Sequence, residues 1–160
     1  MLVRPRYRCR GAVLLQFTTL VLVAASAGEA SLGEAYESVQ RDRAHLSARM
    51  ESNSVGTHVV HALTTPNGGS VREFARSDGT VFAVTWRGPA RPDLRQLLGS
   101  SFDRVQTVSA ARGPRHMRMP VAVHDPDLVV RSAGHPGAFF GAAYLPQLAP
   151  ADFTLDELQQ

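Results

Sequence analysis

The chain contains no lysine and a single cysteine, Cys9, so neither a disulfide framework nor a thiol nucleophile is available to whatever follows residue 9. There is no Gly-x-Ser-x-Gly elbow, no glycine-rich phosphate loop joining a strand to a helix, and no internal repeat. Aromatic residues make up only 7% of the sequence, which makes each of them first a candidate for the core. The apolar stretch at residues 11–24 is shorter than the roughly 20 residues a bilayer-spanning helix needs. Every basic residue other than histidine is arginine, a bias read as the source genome's before it is read as chemistry.

What stands at the N-terminus is an address. Arg4, Arg6, Arg8 and Arg10 precede the apolar stretch with no acid among them, the order found in a cleavable export signal. Small residues follow at Ala25-Ser26-Ala27 and again at Gly28-Glu29-Ala30; cleavage after Ala30 is preferred, with Ala27 as the other site. Residues 1–30 are therefore read as a signal peptide, and residues 31–160 as a single domain that is periplasmic or secreted, without a stable membrane anchor. Four of the seventeen arginines behind the formal charge of +3 lie in that signal, and setting them aside leaves thirteen against fourteen acids. A nucleic-acid partner has no basis in so balanced a chain. About 130 residues suffice for one apolar core without covalent staples.

Along the domain, Ala35, Val39, Leu46 and Met50 fall at helical offsets and predict a helix within residues 34–50, with Ser31 and Glu34 at capping-box spacing. Residues 57–65, 70–76 and 80–87 alternate in strand fashion, separated by Pro66-Asn67-Gly68-Gly69 and Asp78-Gly79, and predict a three-stranded antiparallel meander. At the second turn a three-residue loop with left-handed Gly79 is preferred, because it sets Phe74 opposite Phe82 and keeps Glu73 out of the core. Pro92 and Asp93 open a second helix. Residues 109–127 read as an irregular connector, and residues 128–145 as a C-terminal hairpin turning at Gly134-His135-Pro136-Gly137. Thr154 and Glu157 are spaced to cap a last short turn of helix. The fold class is α+β: helix, meander, helix, hairpin. This order resembles small periplasmic modules of the PepSY kind, an analogy of fold alone.

Candidate chemistry is thin, and no catalytic, cofactor-binding or metal-binding residue is assigned. His58 and His61 lie three apart in a strand, on opposite faces, and cannot chelate one ion; a partly exposed His58 and a hydrogen-bonded His61 are expected. His116, Met117 and Met119 offer soft ligands for monovalent copper. Asp125 and Asp127 flank Pro126 as turn formers, and Arg87, Arg91 and Arg95 read as dispersed surface charges. The interaction candidates are Trp86, beside a Gly-Pro exit from the sheet, Arg112 and Arg115 in the arginine-rich loop, and His135 in its glycine-flanked turn.

The segments VREFARSDGTVFAVTWRGPARPDLRQLLGSSF from Val71 and LVVRSAGHPGAFFGAAYLP from Leu128 resemble an uncharacterised family of exported proteobacterial proteins, domain of unknown function 2844. The Arg-Glu-aromatic strand, the Gly-Thr-Val-Phe and Trp-x-Gly-Pro elements, the Pro-Asp-Leu and the later aromatic-Leu-Pro carry the resemblance; Pro136 departs from it where other members often carry Met. It implies export and one domain, and it supplies no active residues. The reading that follows is a non-enzymatic binding module engaging an envelope protein through a sheet edge or the 112–118 loop. An envelope hydrolase centred on His135 is the alternative, and copper handling at His116, Met117 and Met119 the third.

Overall fold

The computed structural model describes residues 31–111 and 120–159. One helix, α1 (Tyr36–His45), leads into four antiparallel strands, β1 (Arg49–Val55), β2 (His58–Thr64), β3 (Ser70–Arg76) and β4 (Val81–Gly88). Helices α2 (Leu94–Leu98) and α3 (Phe102–Ala111) follow, then β5 (Val121–His124), β6 (Val129–His135) and β7 (Ala138–Tyr144). All seven strands belong to one antiparallel sheet in the order β1-β2-β3-β4-β7-β6-β5.

This corrects the expected architecture of a three-stranded meander with a separate hairpin. The C-terminal hairpin pairs through β7 with β4, which turns it into the second half of the same sheet. Two further strands, β1 and β5, close its edges. The sequence gave no alternation at β1 because an edge strand with little covering it needs none: six of its seven residues are exposed. Met50, assigned from its spacing to the first helix, belongs to β1, since Ser47 takes a left-handed backbone (φ 49°) and ends the helical run. The connector at 109–127 is likewise shorter than expected, with α3 reaching Ala111 and β5 beginning at Val121. Asp93 caps α2 by accepting from the backbone N–H groups of Arg95 and Gln96 at 2.9 and 3.3 Å.

The register assigns each side chain to a face. Met50, Leu63, Val71 and Trp86 lie in one cross-strand row, and Ser52, His61, Glu73, Val84, Ala143, Val130 and Val123 in the next. The helices pack on this side, where Leu97, Leu98 and Val105 join Leu63, Val84, Leu128 and Val130 in the main core. Fully burying each such aliphatic side chain contributes about 1.5–3 kcal/mol, the driving force for closing the helices onto the sheet. Val39 of α1 packs on Ala75 and Val81.

At the β3–β4 turn the loop has three residues, with Gly79 left-handed (φ 88°) and Arg76 N–H donating to Thr80 O. A further irregularity follows, because Phe74 pairs with Ala83 while Ala75 pairs with Val81, leaving Phe82 as the extra residue. The expected pairing of Phe74 with Phe82 is therefore offset by one, and Glu73 sits opposite Val84, fully buried. Phe74 and Phe82 still meet, with ring centroids 6.3 Å apart, on the face away from the helices.

That second face is only half covered. Residues 146–159 return across β2, β3 and β4, placing Leu148, Phe153 and Leu158 on Val60, Phe74 and Phe82. Thr57 donates to Asp152 through its hydroxyl at 2.5 Å, and Thr154 N–H donates to Glu157 Oε1 at 2.9 Å as the short closing helical turn, Leu155–Gln159, begins. Towards β6 and β5 the face is left open.

Candidate functional site

The open face is a pattern of small and long side chains fixed by strand register. One row reads Ala62, Arg72, Thr85, Ala142, Arg131 and Ala122, and the next reads Thr64, Ser70, Arg87, Phe140 and Ala133. Because alternate residues of a strand share a face, every one of these stands on the side away from the helices. The small Ala142, Ala122 and Thr85 leave space between the arginines, and the closing turn supplies Leu155 and Leu158 as a wall. The result is an open hollow of about 880 Å³, within the range of small-molecule sites.

Its polar groups are predominantly basic. Arg72 is held in place, with its guanidinium 5.0 Å from the Phe74 ring centroid and donating to the Glu157 carbonyl at 3.3 Å. Arg87 on β4 and Arg131 on β6 straddle β7, and among the described residues neither meets a carboxylate at ion-pair distance. Phe140 lies between them in the register, 52% exposed, an unusual position for a phenylalanine. His124 and Tyr144 also line the hollow. This set can pair with an anion and cover an apolar group; it contains no nucleophile held by a base.

Beneath the helix-covered face lies a different cluster. Asp42 of α1 and Glu73 of β3 are both fully buried, bridged by the Ser31 hydroxyl, which donates to Asp42 and lies 3.2 Å from Glu73 Oε1. Gln96 of α2 donates to the other Asp42 oxygen at 2.5 Å. Burial raises both carboxyl groups above their ordinary range; for Glu73 the nearby Asp42 adds to it, and its pKa stands at about 9. The pair therefore shares a proton at neutral pH, which is how two acids can occupy one dry site. Glu73 Oε2 has no hydrogen-bond partner among the described residues. Being wholly enclosed, the pair has no cleft through which to act on a substrate.

The individual candidates separate. Trp86 is buried, its indole against Gly141, where an added Cβ would stand 2.3 Å from Trp86 Cζ2. Its Nε1 finds no acceptor among the described residues, and it borders a second hollow of about 470 Å³ with His45, Asn67, Arg91 and Asp93. His135 stands exposed at the β6–β7 turn, where its Nδ1 lies 3.0 Å from Pro136 O and no other polar partner gathers among the described residues. Arg112 and Arg115, like His116, Met117 and Met119, lie outside the described residues. Arg91 is turned to the Phe139 ring and Arg95 to Phe102 and Asp103, so they do not join Arg87. Asp125 and Asp127 both pair with Arg104, at 3.6 and 2.8 Å.

His58 is a correction: it is buried, not partly exposed, and packs edge-on against Phe82 and Phe153 with centroids 5.7 Å away. Its Nε2 is 3.1 Å from Glu157 Oε2, off the line of a hydrogen bond. His61, on the opposite face, lies 2.8 Å from the Ser52 hydroxyl, and burial lowers its pKa. Among the described residues no three potential ligands gather to hold a metal ion. Sequence reasoning missed the open face because Arg72, Arg87, Arg131 and Phe140 are up to 68 positions apart (140 − 72) and meet only through the β4–β7 pairing.

Compared with known proteins, residues 28–158 match the family model described as Protein of unknown function (DUF2844). No curated protein and no solved structure matches the chain.

Proposed function

Since the chain belongs to the DUF2844 family of proteins of unknown function, we propose a role from the geometry: an exported, non-enzymatic binding module whose open sheet face takes an anionic ligand with an apolar part. The observation that carries this is the pair Arg87 and Arg131 flanking exposed Phe140 in a hollow of about 880 Å³, neither arginine having a carboxylate partner among the described residues. Arginine is suited to such a site because its planar fork pairs with carboxylate or phosphate oxygens two at a time. Export is supported by the basic and apolar leader of residues 1–24.

The face is preferred to the sheet edge as the point of contact. The β1 edge presents Arg49, Glu51, Ser52, Asn53 and Ser54, and charged or polar residues of this kind protect an edge from pairing with another strand. The hydrolase reading has lost its ground, since His135 gathers no polar groups around it among the described residues. Copper handling rests on residues outside the description and gains no support.

Octyl phosphate and octanol provide the test, because they share the apolar chain and differ in charge. Isothermal titration of the purified protein is expected to show saturable binding of octyl phosphate and at least about tenfold weaker binding of octanol, the worth of one charge-assisted hydrogen bond. Equal affinities, or binding of neither, would overturn the reading.

A further inference from the structure

We propose that the bond between Ala30 and Ser31 is the processing site and that the α-ammonium it releases is the counter-ion of the buried Asp42–Glu73 pair. The inference rests on the export reading and is independent of the ligand on the open face.

Covalent geometry carries the first step. The nitrogen of any serine lies roughly 3–4 Å from its own Oγ. The Oγ of Ser31 donates to Asp42 and is 3.2 Å from Glu73 Oε1, so the Ser31 nitrogen stands beside both carboxyl groups. Hydrolysis of the preceding peptide bond by a leader peptidase adds water across it. The carbonyl of residue 30 gains the hydroxyl and becomes a carboxylate, the Ser31 nitrogen gains a hydrogen, and the released proton completes an ammonium. That group brings a positive charge and three donors to a cluster that has an excess of acceptors.

The cluster shows what it lacks. Glu73 is fully buried, yet its Oε2 has no partner among the described residues. The neighbouring elements do not neutralise it at close range: His61 on β2 bonds Ser52, Gln96 on α2 is uncharged, and Val84 on β4 is apolar. Arg41 and His45 of α1 act on Asp42 only through space. An ammonium here would let both acids ionise against it, in place of one proton shared between two carboxyl groups. Ser31 is itself anchored for this position, since Leu32 N–H donates to Leu97 O, Gly33 N–H to Val81 O, and Leu32 is buried.

The absence of lysine makes the test unusually clean, because the α-amine is then the sole primary amine of the protein. The precursor would be expressed in an exporting bacterial host, and the processed product's mass measured. A chain beginning at Ser31 is expected. Its acetylation by an N-hydroxysuccinimide ester should be at least about tenfold slower in the native state than in urea. Glu73→Gln should speed native labelling severalfold, while the exposed control Glu37→Gln should not. If Glu73→Gln fails to fold, Asp42→Asn replaces it, and the native-to-unfolded ratio of the wild type stands by itself. A product beginning at Gly28, or native labelling as fast as unfolded labelling, overturns the proposal. The mass reads export and the labelling reads the buried amine, so the two can fail separately.

Discussion

At Glu73 two demands meet: the strand pattern places the residue on the core side of β3, and its charge resists being there. The conflict is resolved by keeping the proton, with the pKa pushed up to about 9 by burial and by Asp42. A carboxyl group whose folded pKa lies above its unfolded value holds the proton in the folded state after the unfolded chain has lost it. Stability is then complete below the unfolded value near 4.5 and declines as pH rises towards 9. With the Ser31 nitrogen blocked by acetylation, the melting temperature should fall steadily between those limits, and Glu73→Gln should flatten the decline. Calorimetric melts across that range check the sign. Gly141 makes a second demand of this kind. A methyl group there would stand 2.3 Å from Trp86 Cζ2 and 2.5 Å from the Arg131 carbonyl, so Gly141→Ala should cost about 1–3 kcal/mol in a urea melt.

Among the elements, the short helix α2 depends on its first residue. Asp93 satisfies two backbone donors of a five-residue helix, and Asp93→Ala should lower stability by about 1 kcal/mol, read from the denaturation midpoint. That cap was legible, since Pro92-Asp93 followed by leucines is a helix start in any context. Strands β2, β3 and β4 were legible for a similar reason, being buried on both faces or nearly so and therefore rich in β-branched and aromatic residues. The edges were not. Arg49–Val55 and Val121–His124 have little core to face, and what makes them strands is the hydrogen bonding of β2 and β6 beside them. The burial of Glu73 was hidden as well, because the extra residue at Phe82 shifts the register without leaving a glycine to mark it.

Over the whole molecule, the two faces of one sheet are put to different uses. The helix face holds the main core, and the far face is covered by residues 146–159 only over β2 to β4. Nothing in the local sequence announced the open part, as Arg72, Arg87, Arg131 and Phe140 acquire a common surface only when β7 docks on β4. The central claim is that this surface binds an anion through Arg87 and Arg131. It is tested most directly by titrating octyl phosphate into the wild type and into the Arg87→Ala/Arg131→Ala double variant, after circular dichroism has shown that both are folded. The account predicts at least about a hundredfold loss of affinity in the double variant, roughly tenfold for each charge-assisted contact removed. Unchanged affinity in a folded double variant would contradict it.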